Sequence, residues 1–282
     1  MILWLNGELV PASQARIDPA DRGFLLGDGI FETMLARHGR VAFLDAHLLR
    51  LARGAATIGL APPLDPARIA NACKSLLDAN GLADAPRAAL RLTLTRGPAP
   101  RGLPLPPDPA PTLMIAAALA APPPASLTAI VATPRRNNRS PSAQLKAIAY
   151  LDNVLAKEEA RARGAGEALM LDTDGHLACA SAANIFVWEN GRLLTPSIDC
   201  GILPGIVRAA ILELAPGLGV ETLEDRIAAS RLPEIEGAFV TNSLIGVVPL
   251  TRIGDRALPA HPPTARLAAA YELLLDTADR NG

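Results

Sequence analysis

Three consecutive prolines, Pro122-Pro123-Pro124, stand near the middle of this 282-residue chain and set its organisation. Consecutive prolines favour stiff, extended backbone, so the stretch from Ala120 to Ala125 reads as an interdomain linker. With the linker placed at 121–126, one domain is expected over 1–120 and a second over 127–282. The prolines also stop the longest apolar run, Leu113 to Ala121, far short of the roughly 18 residues that a membrane-spanning helix needs.

In the first half, Ile2 to Leu9 alternates apolar and polar residues around Asn6-Gly7, a hairpin turn signal. Gly27-Asp28-Gly29 precedes a strand-like run from Ile30 to Leu35. Leu44 to Ile58 has helical periodicity, with Leu48, Leu51 and Ala55 on one face and Arg50 and Arg53 off it. A second amphipathic helix is expected from Pro66 to Ala79, ended by Asn80-Gly81. Strands are expected over Ala88 to Thr95 and Thr112 to Leu119. They are joined by Gly97 to Pro111, a loop long enough to be functional.

Beyond the linker the pattern gives a strand at Leu127 to Ala132 and a charged helix from Leu151 to Ala165. Further strands are expected at Ala168 to Asp172, Ile185 to Trp188, Gly237 to Val240 and Val247 to Thr251. Asp174-Gly175 and Asn190-Gly191 mark hairpin turns, and Pro204-Gly205 opens an apolar helix to about Leu214. Strands and helices are mixed in both halves, which is α+β rather than a regular alternation.

Charge and motifs narrow the function. With 27 Lys plus Arg against 28 Asp plus Glu, the net charge of −1 argues against a nucleic-acid-binding surface. The start, Met1 to Gly7, lacks the basic stretch and small-residue cleavage site of a signal peptide. Cys73, Cys179 and Cys200 are odd in number and widely spaced, the usage expected of reduced thiols in a cytoplasmic protein. Metal binding fails on spacing, because His38, His47, His176 and His261 are scattered and no Cys pair has a finger-like interval. The chain has no G-x-S-x-G elbow, no dinucleotide fingerprint and no phosphate-binding P-loop.

Among the basic residues only Lys74, Lys146 and Lys157 are lysines. Lysine can act as an amine nucleophile and arginine cannot, so a retained lysine asks for a reason. Lys74 lies in a polar stretch and Lys157 in a charged helix, which suits solvated roles. Lys146, flanked by apolar residues in Leu145-Lys146-Ala147-Ile148, is either a snorkelling surface lysine or a functional buried one. Leu203-Pro204-Gly205-Ile206-Val207-Arg208 places a glycine at a helix start, where backbone N–H groups and the dipole hold a phosphate. Helices also start this way without any ligand. Arg50 would supply a bidentate clamp to the same phosphate, or would make a surface ion pair. An amine able to form a Schiff base, together with a phosphate cradle, suggests pyridoxal phosphate.

The ordered set of motifs resembles the fold-type IV pyridoxal-phosphate enzymes: branched-chain aminotransferases, D-amino-acid aminotransferases and 4-amino-4-deoxychorismate lyases. The resemblance runs from Asn6-Gly7 to about Pro249. It rests on Asp21-Arg22-Gly23, Gly27-Asp28-Gly29-Ile30-Phe31-Glu32, His47-Leu48-Leu49-Arg50-Leu51 and Leu145-Lys146. It continues through Asp152-Asn153-Val154-Leu155-Ala156, Asn184-Ile185-Phe186, Leu203-Pro204-Gly205-Ile206 and Thr241-Asn242-Ser243. The fold it implies is a smaller N-terminal α/β domain and a larger C-terminal β-rich domain with helices, with pyridoxal phosphate between them. The family acts as homodimers on small amino and keto acids.

By that similarity, Lys146 holds the cofactor as a Schiff base and shuttles the proton between Cα and the cofactor. Arg50, the backbone N–H groups of Ile206 and Val207 after Gly205, and the Ser243 hydroxyl bind the phosphate. The family often has Thr or Ser where Val207 stands, so one hydroxyl contact is lost. Tyr150 either contacts the cofactor's phenolic oxygen or is an ordinary packed tyrosine. Phe31 makes the substrate wall apolar where some members carry tyrosine, and Arg101 is placed to bind a substrate carboxylate. One departure is chemical: Cys179 stands where the family usually carries a glutamate paired with the pyridine nitrogen. A thiol would keep that nitrogen protonated less well, whereas a thiolate beside the pyridinium would partly substitute. Cys179 is alternatively a small buried cysteine with no such role.

Two reactions fit the resemblance. Leu151-Asp152-Asn153-Val154-Leu155-Ala156 looks like an aminotransferase, and branched-chain transamination is the first reading. The Arg101-Gly102 loop and Thr241 to Gly246 look like the lyase, which is the alternative. The loop lacks the histidine of the D-specific enzymes. A non-catalytic cofactor-binding homolog is the third reading.

Overall fold

A computed structural model of the chain describes residues 1–60 and 65–281, the side chains of 278–281 aside. The chain folds as two compact units. One gathers Met1–Pro122 with Leu145–Ala149, and the other gathers Pro123–Gln144 with Tyr150–Thr277. The fold-type IV, α+β architecture expected from the sequence is the one observed.

In the first unit, β1 (Ile2–Leu5) and β2 (Glu8–Pro11) form the hairpin around Asn6-Gly7, with both turn residues at positive φ. The short helix α1 (Arg22–Leu26) follows, then β3 (Gly29–Arg37), β4 (Arg40–Val41), α2 (Leu44–Thr57), α3 (Pro66–Ala79), β5 (Ala88–Thr95) and β6 (Thr112–Leu119). The strands make one sheet in the order β2-β1-β6-β5-β3-β4. Alternation along β3 and β5 sends Ile30, Met34, Leu90, Leu92 and Leu94 to one face, where Leu48, Leu51, Leu76 and Leu77 of α2 and α3 complete a buried core. Asp65 caps α3, accepting from the Ala67 N–H at 3.0 Å, and Pro66 opens it.

The second unit contains β7 (Leu127–Arg136), α4 (Leu151–Ala162), β8 (Glu167–Asp172), β9 (Leu177–Ala180), β10 (Asn184–Glu189) and β11 (Arg192–Pro196). After these come α5 (Ile206–Gly217), β12 (Thr222–Asp225), β13 (Gly237–Asn242), β14 (Gly246–Ile253), β15 (Arg256–Ala257) and α6 (Pro262–Asn281). Its sheet runs β12-β11-β10-β13-β14-β7-β8-β9, with β15 on β14. Phe186 and Phe239, directly opposite in the β10–β13 register, stack with centroids 4.9 Å apart in its core. Trp188 ties α6 to the sheet, donating from Nε1 to Thr264 Oγ1 at 2.8 Å.

Some expected boundaries move. Gly164, at φ +68°, follows the end of α4 at Ala162, three residues before the expected stop. The strand expected over Leu127 to Ala132 continues to Arg136, because β7 keeps pairing with β8 past an irregularity. Among the described residues no helix is long and apolar enough to cross a membrane.

Candidate active site

Residues 145–149 attach to the sheet of the first unit. They lie along β3 on the same edge as β4: the Phe31 N–H donates to Lys146 O at 2.8 Å, and the Ile148 N–H donates to Gly29 O at 3.1 Å. Ile30 bridges Ala147 in the antiparallel sense. Opposed residues of such a pair share a face, which sets Lys146 beside Phe31. The Lys146 Nζ lies 4.4 Å from the Phe31 ring centroid. The Arg91 guanidinium carbon lies 3.7 Å from the same centroid, because β5 pairs Thr93 with Phe31 and Arg91 with Thr33 on that face. Two cationic side chains thus meet one aromatic ring, whose π face attracts both. Phe31 itself is buried and Lys146 half-buried.

Glu32, one residue on, projects to the opposite, helix-covered face and is 1% exposed. His47 and Arg50, three residues apart on α2, both reach it. Arg50 donates from Nε to Glu32 Oε1 at 2.8 Å and from Nη2 to Oε2 at 2.6 Å. His47 Nδ1 lies 2.7 Å from Oε2. Burial alone would raise the Glu32 carboxyl, but the hydrogen bonds from Arg50 and His47 hold it below the usual carboxylate range. Burial pushes the His47 imidazole down despite Glu32, so His47 is neutral near pH 7 and donates from Nδ1. The sequence places Arg50 off the buried face with its fork available to a phosphate. In the structure the Nε and Nη2 groups of Arg50 engage Glu32, since a carboxylate buried at a core position of β3 needs a charged partner.

In the second unit the elements converge on the start of α5. Gly205 is its N-cap residue, extended at φ −72° and ψ 142°, with no side chain capping the helix. The N–H groups of the first turn, at Ile206 and Val207, have no intrahelical acceptor. A Cβ at position 205 would lie 1.9 Å from Asn184 Oδ1, so only glycine fits. Asn184 in turn holds the approach to the helix, donating from Nδ2 to Leu203 O at 2.9 Å. Thr241 pairs with Asn184 across β13 and β10, and its buried Oγ1 has no hydrogen-bond partner among the described residues. Asn242 Oδ1 accepts from the Leu244 and Ile245 N–H groups, each at 2.9 Å, shaping the turn that carries Ser243. An uncapped helix start, a glycine that admits close approach and an orphaned hydroxyl fit an anionic group such as a phosphate. The Val207 side chain is buried.

The remaining residues singled out from sequence are placed as follows. Cys179 is buried on β9, opposite Met170. Burial pushes its thiol up, Arg136 pulls it down and Glu167 adds to the rise, which favours thiol over thiolate. Tyr150 is half-buried in the N-cap position of α4. Arg101 is exposed in the loop 97–111. Sequence reasoning missed three residues here: Glu32, Thr241 and Arg91. Glu32 leaves a signal, an acidic residue among apolar neighbours in a strand-like run. Thr241 lies in the Thr241-Asn242-Ser243 motif, but Arg91 leaves none, because its surroundings come from strand register.

Comparison with known proteins gives one family. The family model described as amino-transferase class IV matches residues 29–253. A Methanocaldococcus jannaschii protein with a provisional branched-chain-amino-acid aminotransferase name is 32% identical over 266 residues, covering 92% of this chain and 90% of that protein. The aminodeoxychorismate lyase of Bacillus subtilis is 31% identical over 257 residues, covering 90% of this chain and 87% of that one. Among solved structures, the branched-chain aminotransferase of Thermoproteus uzoniensis with norvaline superposes at a TM-score of 0.92 and 29% identity, covering 99% of this chain and 96% of that one.

Proposed function

The chain belongs to the class IV aminotransferase family, and on that premise we propose that it transfers an amino group between a branched-chain type of amino acid and a 2-oxo acid, with Lys146 as the reacting amine. The enzymes of this family use pyridoxal phosphate. When bound, that cofactor supplies an aldehyde that condenses with amines and a ring that takes up the electrons left at a deprotonated Cα. The observation that carries the reading is the Phe31 ring with the Lys146 amine 4.4 Å and the Arg91 guanidinium carbon 3.7 Å from its centroid, each arriving from a different neighbouring strand. An amine, a cation for a carboxylate and an apolar wall are the three features that an apolar amino acid requires.

The roles follow from the residues. Lys146 would hold the cofactor through its Nζ, and the same amine would carry the proton to and from the donor's Cα. Arg50, the Ile206 and Val207 N–H groups and the Ser243 hydroxyl hold the phosphate, with Gly205 admitting it. Tyr150 would contact the cofactor's phenolic oxygen. Arg101 and Arg91 bind carboxylates, and Phe31 excludes water from the reacting amine. Cys179, a neutral thiol, would stand at the pyridine nitrogen and keep it protonated less well than a carboxylate would. Cys179→Glu is expected to speed exchange of the donor's Cα proton with deuterated solvent. An unchanged exchange rate would remove Cys179 from that position.

The test of the main reading is the absorbance of the pyridoxal-phosphate-loaded protein during separate additions of L-leucine, L-glutamate, D-alanine and aminodeoxychorismate. Conversion of the bound cofactor to its pyridoxamine form by L-leucine and L-glutamate is the expected result. Pyruvate and 4-aminobenzoate formed from aminodeoxychorismate would favour the lyase, which the similarity to the Bacillus subtilis protein keeps as the second reading. Bound cofactor unmoved by every donor would make it a non-catalytic homolog.

The molecule works as a homodimer. Phe24, Leu25 and Leu26 on α1 are exposed, as are Leu103 and Leu105 in the loop that Arg22 contacts, an apolar surface suited to a second copy. Sedimentation equilibrium should return twice the chain mass. The three cysteines are buried and unpaired, which suits the reducing cytoplasm.

A further inference from the structure

Loop 97–111 carries Arg101 and forms neither helix nor strand, yet its first half, to Pro104, is tethered to residues 20–22. Asp21, fully buried, clamps the two stems: its Oδ2 accepts from Thr95 Oγ1 at 2.8 Å and from Thr112 Oγ1 at 2.7 Å. The Arg22 N–H donates to Gly97 O at 2.9 Å, where the stems come so close that a Cβ on Gly97 would lie 1.7 Å from Ala110 O. The Arg22 side chain holds the body of the loop. Its guanidinium donates to three successive carbonyls: Gly102 at 2.9 Å, Leu103 at 3.3 Å and Pro104 at 3.4 Å. Such a curl passes through Gly102 at φ +126°, a conformation that glycine adopts and L side chains rarely do.

A guanidinium used this way has to be fixed in orientation, and Asp28 fixes it. Arg22 Nε donates to Asp28 Oδ2 at 2.8 Å, and Arg22 is 4% exposed. Arg96 grips the same carboxylate at 2.7 and 3.1 Å and reaches Ile58 O at 2.6 Å, directly beyond α2. The other end of this stretch touches the lysine segment. Gly27 ends α1 at φ +69°, and a Cβ there would lie 3.2 Å from the Ala149 Cβ. Gly29 O accepts from the Ile148 N–H. Residues 21–29 therefore grip the loop at one end and the strand that presents Lys146 at the other.

We infer that Arg22, aligned by Asp28, is a positioning residue that keeps loop 97–111 in register with the Lys146 segment, so that Arg101 meets the donor's carboxylate at a fixed distance from the reacting amine. The inference rests on the reading that Arg101 and Lys146 serve one substrate. Lysine could not replace Arg22, because a single ammonium cannot bond three carbonyls while keeping the planar contact to Asp28.

Arg101 is the one Lys or Arg between residues 97 and 111, so trypsin reports on the loop directly. In cofactor-loaded Arg22→Met, cleavage after Arg101 should run about ten-fold faster than in the parent. KM for the amino donor should rise about ten-fold with kcat within about two-fold, and Arg22→Lys should fall between. Introduced into an Arg101→Ala background, Arg22→Met should no longer move KM. Parental cleavage in Arg22→Met overturns the inference, and so does faster cleavage with an unchanged KM. A parental KM in Arg101→Ala alone overturns the reading of Arg101, while the cleavage rate still decides whether Arg22 holds the loop. Should Arg22→Met fail to fold, Arg22→Lys carries the same comparison.

Discussion

The two units hold their buried polar groups in opposite ways. In the first unit the groups are charged and each is held by a countercharge: Arg50 by Glu32, and Arg22 and Arg96 by Asp28. In the second the cradle at α5 is neutral, made of backbone N–H groups, Asn184, Thr241 and a glycine shaped by its neighbour. Charged groups on side chains have to be paired to be buried at all, so their partners fix them before any ligand arrives. Backbone donors are fixed by the fold and depend on shape instead. The first region should answer to charge and pH, and the second to volume.

The largest effect expected separates charge from chemistry. Lys146→Ala and Lys146→Arg should both lower turnover by at least about a thousand-fold, although arginine keeps a cation over Phe31. Single-turnover kinetics with a saturating donor would show it, and an active Lys146→Arg would mean that the charge alone suffices. Next comes Glu32→Gln, which leaves Arg50 without its ionic partner. Urea unfolding should show a loss of about 3–5 kcal/mol, the size expected when one member of a buried pair is removed. Gly205→Ala should cost about 1–3 kcal/mol by crowding Asn184, and should weaken cofactor binding in equilibrium dialysis. Thr241→Val inverts the sign: it replaces an unpartnered buried hydroxyl by a methyl, so the cofactor-free protein should gain up to about 1 kcal/mol. A loss in Thr241→Val would show that the hydroxyl has a partner in solution.

The smallest effect is a slope. Folding depresses the Glu32 and Asp28 carboxyls and the His47 imidazole, so the unfolded chain takes up protons first as the pH falls. The His47 contribution is complete above about pH 6.5 and shrinks below it, and those of Glu32 and Asp28 shrink below about pH 4. Urea midpoints at falling pH should decline in those two windows, and His47→Gln should flatten the upper one. The groups of the α5 cradle do not titrate there.

How much of this was legible in the sequence follows the same division. Asn6-Gly7, the 3.6-residue rhythm of α2 and α3, and Pro204-Gly205 report local geometry, and each element formed where its signal lies. The five residues of α1 are too few to show a period, although Asp21 and Gly27 cap it. The single Lys146 could be picked out because its chemistry is rare in this chain. What surrounds it could not, because Phe31 meets it, and Arg91 meets Phe31, through strand register across long stretches of chain. The engagement of the Arg50 fork by Glu32 was hidden for the same reason.

That Lys146 joins the sheet as an added edge also dictates an order of events during folding. The contact of Ile30 with Ala147 closes a loop of more than a hundred residues, an entropically late step beside the local hairpins and helices of the first unit. On the ribosome, β3 is complete long before residue 145 emerges, and its edge at Gly29 to Phe31 waits without its neighbour. A chain released early would expose that edge to other strands, a route to aggregation. The segment that carries Lys146 is thus also the piece that closes the sheet, and a nascent chain loses that open edge only once the segment is in place.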